Sequence, residues 1–173
     1  MQDMVDGYVE TIETALAAFV DPATPAPARR ALGGALNYVL DLLDIFPDHY
    51  KGIGVVDDAM LLRLAARQAV AAGAKAEGLD KLASGATAID KILDDLAGPL
   101  ATYVERLPTR SVRGLTVDQI LADKLSVEQF ANNVRRQVAA FKPQTIDASK
   151  GIDWLLGEIR RMTRHELRKV GLG

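Results

Sequence analysis

The sequence specifies an all-α fold, a single-domain bundle of about six to eight helices over residues 1–173, and three observations lead there. Apolar residues recur at three- and four-residue spacing along most of the chain, the signature of amphipathic helices. Alanine and leucine dominate the apolar set while aromatics are only 5% of residues, and both are strong helix formers. Alternating runs of Val, Ile, Thr or Tyr are missing, so no strand of three residues or more is expected. With 173 residues, 49% hydrophobic and 25% charged, the chain can bury a core large enough to fold unaided.

The elements follow in order. Val5, Tyr8, Val9, Ile12, Leu16 and Phe19 define an amphipathic helix over 4–20, closed by Asp21-Pro22 and a Pro/Ala/Thr loop. A second helix is expected over 27–44, with Pro27 in its first turn. Its Gly33-Gly34 pair marks a place where another helix can approach closely. Phe46 precedes Pro47 and is driven out of the α region, which ends that helix. A third helix spans 57–72, with Leu61, Leu62, Leu64, Ala65 and Val70 inward and Gly73 as its C-terminal cap. A short helix near Leu79 and a longer one over 84–107 follow, the latter kinked or broken at Gly98-Pro99. Thr116–Gln119 and Ser126–Gln129 each match a capping box and predict helix starts at 117 and 127. The second of these helices should stop before Lys142-Pro143. The last helix covers about 150–170.

Composition excludes several classes. Without cysteine there are no disulfides and no thiolate metal sites, which suits a reducing cytoplasm. The N-terminal MQDMVDGYVE is acidic and lacks the basic-then-apolar pattern of a signal peptide. The longest apolar stretch, 53–72, is interrupted by Asp57, Asp58, Arg63 and Arg67, so a membrane span is not expected. The net charge of −2 hides an asymmetry: residues 1–58 carry ten acids and three bases, and residues 59–173 carry thirteen acids and eighteen bases. Such halves steer partners of opposite charge or neutralise one another within one core.

The densest concentration of chemistry is LNYVLDLLDIFPDHYKGIGVVDDAMLLR, residues 36–63. It sets Asp41, Asp44, Asp48, Asp57 and Asp58 around a Pro/Gly turn between two apolar helical runs. Carboxylates near apolar surface need a cation or hydrogen bonds. Asp41 and Asp44, three residues apart, fall in the last turns of one helix, where the macrodipole disfavours acids. Asp57 and Asp58 open the next helix, where it favours them. The partner is either a side chain, with His49, Lys51, Arg63 and Arg67 at hand, or a divalent cation. Mg²⁺, Mn²⁺ and Ca²⁺ all take such hard oxygen ligands.

Tyr38, Asp41, Asp44, Pro47, Asp48, Gly52, Gly54, Asp57 and Asp58, in this spacing, resemble the YkvA-type domain of unknown function, a short helical hairpin found across many bacterial proteins. The resemblance covers about 32–72 and leaves additional helices over 79–170. The chain departs from the pattern at Leu42-Leu43, where a proline is frequent. The resemblance implies a helical hairpin and no particular reaction; some members of that family are described as membrane-associated.

The last helix is the second feature. Ile152, Leu155, Leu156, Ile159, Met162, Leu167 and Val170 form an apolar stripe, while Arg160, Arg161, Arg164, Arg168 and Lys169 crowd the other faces. A basic amphipathic helix lies on an anionic membrane, fits a partner's groove, or packs in a bundle with its basic face in water. His49 and His165, the two histidines, lack the spacing of a zinc-protease helix. Neither a nucleophile elbow nor a phosphate loop is present. No nucleic-acid motif accompanies Arg106, Arg110 and Arg113, so nucleic acid is not an expected partner. The first functional reading is therefore a non-enzymatic binding or adaptor module in the cytoplasm, with a protein partner or a second copy of itself. A metal-dependent hydrolase at the aspartate turn is the alternative. A peripheral protein of the inner membrane, held by the basic helix, is a further one.

Overall fold

Helical periodicity is realised along nearly the whole chain. The structure, a computed structural model, describes residues 1–41, 45, 46, 53–143, 145, 146, 149 and 151–172. Among the described residues ten α-helices follow one another: α1 (Gln2–Asp6), α2 (Tyr8–Val20), α3 (Ala26–Val39), α4 (Val56–Ala71), α5 (Leu79–Ser84), α6 (Ala86–Leu93), α7 (Ala97–Arg106), α8 (Val117–Leu121), α9 (Lys124–Ala140) and α10 (Ile152–Lys169). Eight of them have six residues or more. Extended backbone pairs only as a single bridge between Val112 and Leu115 among the described residues. Arg113 and Gly114, both at positive φ, make the tight turn between them, the geometry that joins two extended residues most closely.

One apolar core runs from Met4 on α1 to Leu167 on α10. At its centre α4 packs against α3 and α5, and α3 also packs against α2. Leu61, Leu62, Leu64 and Ala65 of α4 are fully buried. Helix α4 ends as the sequence indicates: Gly73 takes φ +90°, its N–H bonds the Val70 carbonyl, and the Ala74 N–H bonds that of Ala69. These two bonds satisfy carbonyls that a helix end leaves open.

Several boundaries differ from expectation. The first helix is divided at Gly7 into α1 and α2. Helix α3 stops at Val39 rather than near residue 44, and the Ile45 N–H donates to the Tyr38 hydroxyl instead of to a helix carbonyl. The 84–107 helix breaks at Asp94, which takes φ 53°, and not at Gly98-Pro99. Pro99 instead occupies the first turn of α7, where its missing N–H leaves no intrahelical bond unmade.

The two capping boxes meet different fates. Thr116 caps α8 reciprocally with Gln119, its own N–H donating to Gln119 Oε1 at 2.8 Å. Ser126 is not a cap. Asp123 takes that role three residues earlier, accepting from the Ser126 N–H at 2.8 Å and from its hydroxyl at 2.9 Å. An aspartate caps at least as well as a serine, so the helix begins at the earlier of the two. Thr116→Ala is expected to lower stability by about 1 kcal/mol and Ser126→Ala by only a few tenths. Urea unfolding of both variants checks this; equal losses would mean the caps are misassigned.

The Gly33-Gly34 pair does allow close approach, though chiefly by side chains. A Cβ on Gly33 would stand 2.7 Å from both the Phe19 ring and a Val117 methyl, and one on Gly34 would stand 2.8 Å from the Pro108 ring. Phe19 is fully buried and its ring lies 5.2 Å from that of Phe130. These contacts join α2, α3, α8 and α9 at one point.

Candidate functional site

Asp57 and Asp58 enter the first turn of α4, as the sequence indicates, and both are buried. Asp57 has no exposed surface. Its Oδ2 accepts from the Tyr38 hydroxyl at 2.8 Å and from the Phe46 N–H at 3.0 Å. Asp58 Oδ2 accepts from the Tyr8 hydroxyl at 2.6 Å. A carboxylate deprived of water is tolerable when donors replace the water and a helix N-terminus lies beneath it. Both conditions hold here.

Asp41 lies just past the end of α3 instead of within its last turns. Its Oδ2 is 2.7 Å from Arg110 Nη2, and both side chains are largely shielded. The same guanidinium donates to the Tyr103 hydroxyl at 2.9 Å and sits 5.8 Å from the centre of the Tyr38 ring. Tyr38 and Tyr103 meet edge to face at 6.5 Å. Asp41, Arg110, Tyr103, Tyr38 and Asp57 thus form one continuous network from the surface into the core. Asp44 and Asp48 lie outside the described residues.

The electrostatics keep both tyrosine hydroxyls protonated. Burial pushes the Tyr38 hydroxyl well above its ordinary pKa, and the charges of Asp57 and Asp58 push it further. Tyr103 is pushed up to about 12, mainly by burial, with the Arg110 charge opposing. Both remain protonated through the physiological range.

The cations suggested by sequence go elsewhere. Arg67 pairs with Asp90 at 2.7 Å. Arg63, whose pKa burial lowers, donates to the Ala59 carbonyl and lies against Gly85. His49 and Lys51 are outside the described residues. Among the described residues no three of His, Cys, Asp and Glu form a group able to hold a metal ion.

Helix α10 turns most of its apolar stripe inward: Leu155, Ile159, Met162 and Leu167 are buried, while Ile152 and Val170 remain exposed. Its cations are largely engaged within the protein. Arg160 donates to the Ile92 carbonyl at 2.6 Å and Arg164 pairs with Asp95 at 3.1 Å. Arg161 pairs with Glu158 and Lys169 with Glu166, each at 2.8 Å. Arg168 is exposed. No helix among the described residues is long and apolar enough to cross a membrane.

Sequence reasoning missed Tyr8 and Tyr38 as donors to the acidic turn, and it named Arg110 only beside Arg106 and Arg113, away from the turn. The available signal was Tyr38 itself, three residues before Asp41 at the end of an apolar helix. Arg110 gave none, since it lies 69 residues from Asp41 in sequence and reaches it only through tertiary packing. No protein-family model, curated protein or solved structure matches this chain.

Proposed function

We propose that this protein is a non-enzymatic binding or adaptor module of the cytoplasm, built around a YkvA-like hairpin over about 32–72. The observation that carries the proposal is the burial of Asp57 and Asp58 beneath Tyr38 and Tyr8. A hydrolase would need its carboxylates open to a metal and a substrate; these two hold helices together. The pairing of the α10 cations with neighbouring groups supports the same reading over a membrane-bound one.

Thermal unfolding with Mg²⁺, Mn²⁺ and Ca²⁺ tests it. A site saturated a hundredfold would stabilise by about 2.7 kcal/mol, or roughly 5–10 °C for a chain of this size. The expected result is no shift at millimolar concentration of any of the three. A rise of that size, removed by Asp44→Asn with Asp58→Asn, would instead establish the metal-dependent reading.

A further inference from the structure

Away from the acidic turn, the end of α2, the end of α8 and one face of α9 enclose an open cleft of about 580 Å³. That volume lies within the range of sites for small organic ligands. Its apolar lining comes from Val20, Leu121, Val127 and Ala131, of which Val127 and Ala131 belong to the core. Its charged lining comes from Arg29, Lys124 and Arg135 against a single acid, Glu128.

Two of the three cations are held in place. Arg29 donates from Nε to the Phe19 carbonyl at 2.7 Å and lies 5.8 Å from the centre of the Phe19 ring. Arg135 donates to the Asn132 side chain at 3.1 Å. Lys124, Val127, Glu128, Ala131 and Arg135 recur at three- and four-residue spacing, so one face of α9 carries both the apolar floor and most of the charge.

From this pairing we infer that the cleft is a binding site for an amphiphilic organic anion, a carboxylate with an aliphatic body. The aliphatic part would cover the half-buried Val20 and Leu121, gaining the free energy of apolar burial, over a floor of Val127 and Ala131 that the core already buries. The head group would lie among Arg29, Lys124 and Arg135, whose excess positive charge selects an anion over a neutral or cationic head. An acidic amphipathic peptide has related chemistry, but the cleft is sized for a small ligand, and the extended groove that a helix requires is larger. The inference gives the binding-module reading a ligand class and rests on that reading.

Titration calorimetry of the full chain with dodecanoate, below its micelle concentration, tests the inference, with dodecanol and an acidic amphipathic peptide as comparators. Saturable binding of dodecanoate is expected, at least about tenfold tighter than dodecanol. Lys124→Glu with Arg135→Glu, both exposed and outside the core, should weaken it by about tenfold or more, with the circular dichroism spectrum unchanged. Equal affinity for dodecanol, undiminished binding by the double variant, or binding of the peptide alone would each overturn the inference. So would no binding at all. A lack of dodecanoate binding with no metal-induced rise in melting temperature defeats the ligand assignment only, whereas a metal-induced rise defeats the binding-module reading.

Discussion

Replacing Asp57 by alanine is expected to lower the unfolding free energy by about 3 kcal/mol, measured by urea denaturation. The change strands two buried donors, the Tyr38 hydroxyl and the Phe46 N–H. Each unsatisfied group in such a place costs about 1–3 kcal/mol. Asp57→Asn keeps an acceptor oxygen in the same position and should cost about half as much. Direction matters more than size here. A carboxylate kept for chemistry commonly burdens the fold, and its removal then stabilises. If Asp57→Ala is neutral or stabilising, the structural role assigned to Asp57 is wrong and the catalytic reading of the turn regains its footing.

Phe19→Ala is expected to be equally severe, about 3–5 kcal/mol, because the ring is fully buried between Gly33 and Phe130. Gly33→Ala alone should cost about 1–2 kcal/mol: overpacking against the Phe19 ring and Val117 outweighs the gain in helix propensity. Together the two changes should cost less than their sum by about 1 kcal/mol, since the new methyl enters space the ring has left. A strictly additive pair would show that Gly33 is not there to admit the ring.

How much of this was legible follows from the range of each interaction. Helices α4, α8 and α10 announce themselves through periodicity and local punctuation, so the Gly73 cap and the Thr116 box could be placed from a few neighbouring residues. The end of α3 could not. There Tyr38 accepts an N–H from seven residues ahead while donating to Asp57 nineteen residues away, and propensity carries no trace of such a bond. The Asp123 cap was hidden for another reason: two valid cap signals lay three residues apart, and the serine of one became the partner of the other. At the acidic turn the residue types were readable but their partners were not, because Arg110 reaches Asp41 through tertiary packing. The cleft was not legible at all. Arg29 and Arg135 lie far apart in sequence and line one cleft only because tertiary packing, Phe19 on Phe130 among it, brings α2 and α9 together.

The contact between the beginning and the later part of the chain has a consequence for synthesis. Tyr8 packs on Phe141 with ring centroids 4.7 Å apart, and the Ile146 N–H donates to Gln2 Oε1 at 3.0 Å across a separation of 144 residues. At a ribosomal rate of about 5–20 residues per second, α1 waits roughly 7–30 s for those partners to be made. During that interval the Tyr8 and Phe19 rings lack the Phe141 and Phe130 rings on which they pack, so the nascent chain shows apolar surface that the finished protein covers.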